Sequence, residues 1–416
     1  MNSTVLRDIC LIEGGAEAQL RRGCDLWLQG ERIQAITEAH EHLPLKAEEG
    51  GEEILCSGLY CLPGLIDMHT HLTSPGEERL ESGDDFRRLL AAHGRQALAA
   101  GVTTLRDLGG LPEVLFRLRA GAARGPLFPN LVMAGPFLTA RGGHPTADLF
   151  HGLTALRRAA TRELSEPEQA RAVVEQLAVS GVDFIKVVST ACLVIPQEEV
   201  QVPKLRPEVL AAIVKAAHAR GLQVVVHTMT AADVREAVQL GCDGVEHGIV
   251  CDDVEICDPD LPALLSSRRV CYVPTLAAIE RLAPRFLGLA MKNARLLAES
   301  GVLLGVGSDA GNPGLPFGAA LLRECELLFA AGIPPAQIIA GATSQAALQI
   351  GRGDQLGRLL PGYQADLLLL RANPLDHPGN LRQVEAVFKA GRCIAARPTS
   401  AFRRRSASTS FQESTL

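Results

Sequence analysis

Six residues in this chain combine the types and the placement needed to hold divalent metal ions: His69, His71, Lys186, His227, His247 and Asp309. His69 and His71 stand two apart, after the apolar run that begins at Leu65. In a strand, residues two apart face the same side, so both imidazoles can reach one point. Neutral imidazole is a common metal ligand. The other four residues sit in similar places. Lys186 lies within Phe184-Ile185-Lys186-Val187-Val188, and His227 follows Val224-Val225-Val226. His247 ends Gly244-Val245-Glu246-His247, and Asp309 ends Gly305-Val306-Gly307-Ser308-Asp309. Each alone also has an ordinary structural reading. His227 fits a hydrogen-bonded strand-end histidine, and Lys186 can snorkel to water. Asp309 fits a turn or helix cap, and His247 beside Glu246 fits a surface pair. As a set they read as a metal centre.

The chemistry of such a set is specific. A pair of divalent ions needs neutral nitrogens, a carboxylate and an anionic bridge. An ammonium cannot bridge. A buried Lys with a lowered pKa can react with carbon dioxide to give a carbamate, which behaves as a bidentate carboxylate. The expected arrangement has His69, His71 and Asp309 on one ion and His227 and His247 on the other. Carboxylated Lys186 lies between them. The ions would share a hydroxide, because bound water has its pKa lowered to about 7. Asp309 would take its proton and pass it to a leaving amine. Zinc is the first candidate metal; manganese, cobalt and iron suit the same donors.

These residues need elements to position them. The pattern predicts strands at 65–71, 102–108, 130–138, 184–188, 224–226, 244–246, 272–274 and 303–306. Between them, helical periodicity covers 86–100, 166–179, 207–220, 231–240, 319–331 and 335–350, several closed by glycine. Buried strands alternating with amphipathic helices predict a parallel sheet. The polar residues fall at the C-terminal ends of many strands, which favours a (β/α)8 TIM-like barrel over an open doubly wound sheet with one switch point. Before residue 63 and after 354 the texture is strand-like. The stretch 25–33 reads as strand, turn, strand, and 367–370 and 384–389 read as strands before a turn at Ala390-Gly391. The expected organisation is a small β-sandwich domain built from 1–62 and 355–396, a barrel over 63–354, and a disordered tail at 397–416.

Composition narrows the class. The 416 residues are 47% hydrophobic, enough for an extensive core, and the net charge of −6 carries no nucleic-acid footprint. No apolar run is long enough for a membrane span, and the start from Met1 to Leu11 does not read as a signal peptide. The 11 scattered cysteines read as reduced thiols of a cytoplasmic protein, with the Cys251 and Cys257 spacing unlike a zinc pattern. The expected partner is a small-molecule substrate, with a homo-oligomer open.

The chain resembles the amidohydrolase superfamily from about Leu26 to Arg392. The resemblance rests on Leu62-Pro63-Gly64-Leu65-Ile66-Asp67-Met68-His69-Thr70-His71, Ala100-Gly101-Val102-Thr103-Thr104-Leu105-Arg106-Asp107, Lys186, His227, Glu246-His247-Gly248 and Gly307-Ser308-Asp309. Pro361-Gly362-Tyr363-Gln364-Ala365-Asp366-Leu367 and Asn373-Pro374-Leu375 add to it. It implies a metal-dependent barrel with a split β-sandwich. Within the superfamily the chain is most similar to the imidazolonepropionase-like and prolidase-like dipeptidase branch, and Lys186 implies its binuclear, carboxylated-lysine type. Arg141-Gly142-Gly143-His144 resembles a loop whose histidine helps bind substrate, so His144 is a substrate-contact candidate; an ordinary glycine loop is the other reading. Members acting on dipeptides often carry Tyr two residues after the fifth-strand histidine, where this chain has Met229. Arg141 or Lys204 could then hold a substrate carboxylate. The resemblance implies hydrolysis of an amide bond in a dipeptide, N-acyl amino acid or related carboxamide. Ester, lactone or organophosphate hydrolysis, a cyclic amidase or deaminase, and a non-catalytic scaffold are the alternatives.

Overall fold

The computed structural model describes residues 3–15, 19–38, 51–76, 82–122, 128–194, 199–250, 260–396 and 402–406. Its centre is a barrel of eight parallel strands. They are Leu65–Thr70, Val102–Asp107, a split third strand (Asn130–Met133 and Phe137–Ala140), Ile185–Val188, Val224–His227, Gly244–Glu246, Cys271–Val273 and Leu303–Leu304. Most are buried along their whole length, as strands covered by helices outside and side chains inside must be. The third strand was expected to be continuous. It breaks at Ala134-Gly135-Pro136, and its first half pairs with the second strand while its second half pairs with the fourth. Beyond Leu304 the eighth strand closes the ring onto the first. Met68 N–H donates to Val306 O at 3.0 Å, Asp309 N–H to His69 O at 2.8 Å, and His71 N–H to Ala310 O at 2.8 Å.

Local sequence explains the helices that hold this ring. Pro167–Ser180 starts with proline in its first turn and a capping box between Glu166 and Gln169, and stops at Gly181, whose φ is +84°. Pro207–Ala219 also starts with proline and buries Val209, Leu210, Ile213, Val214 and Ala217. The helix expected over 335–350 is two helices, Pro335–Gly341 and Ser344–Gln349. The break has a reason in the barrel. Gly341 O accepts from Val306 N at 3.2 Å and Ala342 O from Ile66 N at 2.8 Å, so these carbonyls serve strands rather than a continuing helix.

The two chain ends build one further sheet of nine strands among the described residues. Leu20–Gln29 and Arg32–Glu38 pair antiparallel around the turn at Gly30, as expected from the sequence. Leu367–Leu370 pairs antiparallel with Tyr60–Pro63, which joins the late chain to the early one. Ser3–Ile12 pairs with Leu20–Gln29 on one side, and on the other with Glu52–Leu55 and then with Tyr60–Pro63, so the sheet forks along it. Its core holds Leu6, Ile9, Leu26, Leu367, Leu369 and Phe388. One part of the expected disordered tail is corrected: Arg403–Ser406 pairs antiparallel with Glu52–Leu55, because that strand has a free edge to offer. Cys251 and Cys257 lie outside the described residues. Among the described cysteines, Cys10, Cys24, Cys56, Cys61, Cys242, Cys271, Cys325 and Cys393 are free thiols. No helix among the described residues is long and apolar enough to cross a membrane.

A buried ion pair fastens the terminal sheet to the barrel. Lys389 Nζ donates to Asp366 Oδ2 at 3.1 Å and to Asn130 Oδ1 at 3.0 Å, and both charged side chains are 4% exposed. Asn130 in turn donates to Thr104 Oγ1 at 3.2 Å, on the second barrel strand. Removing one partner strands the other charge in the interior. Asp366→Ala should therefore destabilise the fold by about 3–5 kcal/mol, and adding Lys389→Met should recover part of the loss. Urea unfolding of both variants measures this; a double variant no more stable than the single one would contradict it.

Candidate metal centre

The barrel brings the six sequence-predicted metal residues to one mouth. His69 is the fifth residue of the first strand, and Asp67, His69 and His71 alternate onto the same face. Lys186 is in the fourth strand, His227 ends the fifth, His247 follows the sixth and Asp309 follows the eighth. Ring centroids of His69 and His247 lie 4.9 Å apart, those of His227 and His247 4.5 Å, and those of His69 and His71 5.3 Å. One potential ligand atom each from His69, His247 and Asp309 falls within 4.8 Å of the other two, a group able to hold an ion. His71 Nε2 is 3.2 Å from Asp309 Oδ1, so His71 adjoins the same group.

Supporting groups orient each imidazole. His69 Nδ1 donates to Glu246 Oε2 at 2.8 Å, and Arg106 Nη1 donates to Glu246 Oε1 at 3.2 Å. His71 Nδ1 donates to Gly109 O at 2.9 Å; a carbonyl can only accept, so this nitrogen carries the proton. Asp107 holds that loop by accepting from Leu72 N and Gly109 N at 2.6 and 3.1 Å. His247 Nδ1 meets Thr275 Oγ1 at 2.7 Å. Asp67 ties the first strand to the eighth, accepting from Ser308 Oγ at 2.6 Å and from Ser308 N at 2.9 Å. Gly307 is required by this closeness, because a Cβ there would meet His69 N at 2.8 Å. Three non-glycine residues at the mouth hold left-handed backbones: His247 at φ +64°, Thr275 at +51° and Asp309 at +60°. Such residues cost about 1–3 kcal/mol each and persist where surroundings over-determine them.

The inward atoms have no protein partner. Lys186 Nζ, His69 Nε2, His227 Nε2 and Asp309 Oδ1 are buried without a hydrogen bond. His69 Nε2 faces Asp309 Oδ1 at 3.5 Å. With Nδ1 donating to Glu246, that Nε2 offers a lone pair to a carboxylate, an acceptor facing an acceptor. A cation is what such an arrangement lacks. Titration behaviour agrees. Burial, with Lys186 nearby, holds His69 well below the usual histidine range. Burial and the neighbouring histidines do the same for His227 and His247. These rings are therefore neutral, as ligands must be. Burial opposes charge on His71, but the Asp309 carboxylate outweighs it and raises its pKa. Burial lowers Lys186 to about 8, despite the attraction of Glu246 and Asp309. The donor set fits divalent metal.

The substrate-contact candidates divide. The His144 ring sits 5.0 Å from His227, with Nδ1 held by Asp148 at 2.9 Å. Arg141 is exposed. Lys204 is spent on Asp233 at 2.7 Å and Glu236 at 2.6 Å, and Met229 is buried. The sequence reading missed Asp67, Arg106, Thr275 and Asp148 as supports and took Glu246 only as a neighbour. Asp67 alone carried a local signal, being a charge within an apolar strand in register with His69.

A closed parallel barrel with a histidine–lysine–aspartate cluster at its C-terminal mouth defines the class of barrel hydrolases that work with metal. The chain belongs to the amidohydrolase family, whose sequence model matches residues 60–394. Ochratoxinase of Aspergillus niger is 27% identical over 373 residues, covering 78% of this chain and 73% of the relative. Imidazolonepropionase of Anaeromyxobacter dehalogenans is 26% identical over 439 residues, covering 93% of this chain and 94% of the relative. A crystal structure of a Xaa-Pro dipeptidase with bound methionine superposes with a TM-score of 0.80 at 24% identity, covering 94% of this chain and 99% of that one. Family and relatives together identify a hydrolytic enzyme that acts on amide bonds.

The Glu246 bridge makes a prediction. Glu246→Gln leaves the site sterically intact but replaces the anion that fixes His69 Nδ1–H and Arg106. Metal affinity should fall about 10–100-fold, the usual effect of altering a group that orients a ligand. Competition with a chromogenic chelator reads it out; unchanged affinity would mean that His69 is held by packing alone.

Proposed function

We propose that this chain cleaves the amide bond of a dipeptide, N-acyl amino acid or related carboxamide at a centre of two divalent ions, with zinc the first candidate. The observation that carries this reading is the convergence of unpartnered His69 Nε2, His227 Nε2, Lys186 Nζ and Asp309 Oδ1 in one buried space. His69, His71 and Asp309 would hold one ion, and His227 and His247 the other, with Lys186 as a carbamate between them. Bound there, the ions supply Lewis acidity for the scissile carbonyl and an activated water as nucleophile.

The chain's own groups do the rest. Lys186 is buried with a pKa near 8, so an appreciable fraction is neutral near neutral pH. Its Nζ lone pair forms an N–C bond to carbon dioxide and one nitrogen proton leaves, giving the anionic carbamate. Asp309 Oδ1 is buried, 3.2 Å from His71 Nε2 and 3.5 Å from His69 Nε2. That oxygen receives the proton of the attacking water and delivers it to the leaving nitrogen. His144, braced by Asp148, contacts the substrate beside His227. Lys204 is dropped as a carboxylate clamp because two carboxylates already neutralise it.

The test joins elemental analysis of the purified protein to a panel of dipeptides, N-acyl amino acids, esters and lactones. Close to two metals per chain and turnover of amides are expected, with Asp309→Asn lowering kcat about 10²–10⁴-fold. Lys186→Ala should lose both activity and the second metal. Protein prepared with ¹³C-bicarbonate should show a carbamate carbon by NMR. About one metal per chain would make Lys186 structural. Neither metal nor turnover after reconstitution would favour a scaffold.

A further inference from the structure

A buried acid outside the metal cluster has no role in the chemistry above. Glu324 lies on the helix Ala319–Ala330 and is fully buried. One carboxyl oxygen accepts from Ala277 N at 2.7 Å, and the Leu276 N–H also acts on the carboxyl. The other oxygen is buried without a partner. Leu276 and Ala277 open the short helix Leu276–Leu282, which directly follows the seventh barrel strand and Thr275.

Thr275 occupies the capping position of that helix. Threonine there normally turns its hydroxyl onto the backbone N–H groups of the first turn. Here it makes no such bond. Its backbone is left-handed, at φ +51°, and its hydroxyl meets His247 Nδ1 at 2.7 Å. The Leu276 and Ala277 N–H groups would then be orphaned in the interior, at a cost of about 1–3 kcal/mol for each unsatisfied group. Glu324 satisfies them from a different helix. The cap and the histidine thus compete for one hydroxyl, and the glutamate removes the competition.

We infer that Glu324 is a positioning residue for the metal centre: it caps the helix after the seventh strand so that the Thr275 hydroxyl stays on His247. Without that acceptor, Thr275 relaxes toward an ordinary cap and His247 loses the contact that sets its ring. The inference rests on the metal-centre reading, since it concerns how His247 is held.

The experiment uses the full chain stripped of metal, with zinc affinity measured by chelator competition, the visible spectrum of the cobalt-loaded protein, and thermal unfolding of each variant. Glu324→Met keeps the volume and removes the acceptor. It should weaken zinc binding about tenfold or more and alter the cobalt spectrum. Glu324→Gln keeps an acceptor oxygen and should bind within about threefold of wild type. Thr275→Val should reproduce the loss, and Thr275→Val with Glu324→Met should lose no more than Thr275→Val alone, because both act through one contact. If Glu324→Met does not fold, Glu324→Asp withdraws the acceptor by one methylene and should show the same direction. A Glu324→Met protein with a lowered Tm but wild-type affinity and spectrum would overturn the inference, as would losses that multiply. Wild-type protein that binds no zinc would instead overturn the metal-centre reading beneath it.

Discussion

Electron-pair donors face one another across the barrel mouth, and no hydrogen bond joins His69 Nε2 to Asp309 Oδ1. His69 Nε2 looks at Asp309 Oδ1 across 3.5 Å because its other nitrogen is already donating to Glu246. Most of the surrounding structure can be understood as the means of keeping that unfavourable arrangement in place. Glu246 is itself held by Arg106, whose guanidinium lies over the Phe184 ring at 4.4 Å. Asp67 locks the first strand to the eighth, and Asp107 locks the loop that receives the His71 proton. Burial raises Asp67 to about 7 and Asp107 to about 6, so these supports are themselves expensive to leave charged. A fold tolerates this cluster of desolvated acids and bases when a bound cation repays it.

Much of this arrangement was legible in the chain. The placement of His69, His71, His227, His247 and Asp309 at strand ends, with Lys186 inside a strand, pointed to one rim, because period-two alternation and barrel closure leave few other places for them. The terminal strands were legible too, since Ala390-Gly391 and Gly30 punctuate short apolar runs. The family resemblance carried the role expected of His144, which no spacing could supply.

What stayed hidden depends on distances between elements. Glu246 looked like a surface neighbour of His247, yet both side chains reach His69, because His247 follows the strand with a left-handed backbone. Glu324 and Thr275 sit in ordinary helical and strand-end contexts, and only their packing reveals an exchange of hydrogen-bonding duties. The break at Ala342 is of the same kind. The periodicity of 335–350 continues through it, but barrel N–H groups at Ile66 and Val306 claim the carbonyls there. Lys204 shows the converse error. Met229 in place of a tyrosine made Lys204 a candidate clamp, while Asp233 and Glu236, distant in sequence, had already taken it.

Strain and stability are separated along the barrel axis. The mouth holds the positive-φ residues His247, Thr275 and Asp309, together with the unpartnered polar atoms. Toward the strand starts, the Lys389–Asp366 pair and Asn130 are fully hydrogen-bonded and join the terminal sheet to the second and third strands. A barrel can carry unfavourable geometry at one end only if the other is fastened well enough to keep strand register, since a slip of one residue turns a ligand out of the cluster. The terminal sheet therefore contributes to the chemistry without approaching it. It keeps Tyr60–Pro63, and hence the entry into the first strand, at the register that delivers His69 and His71 to the mouth.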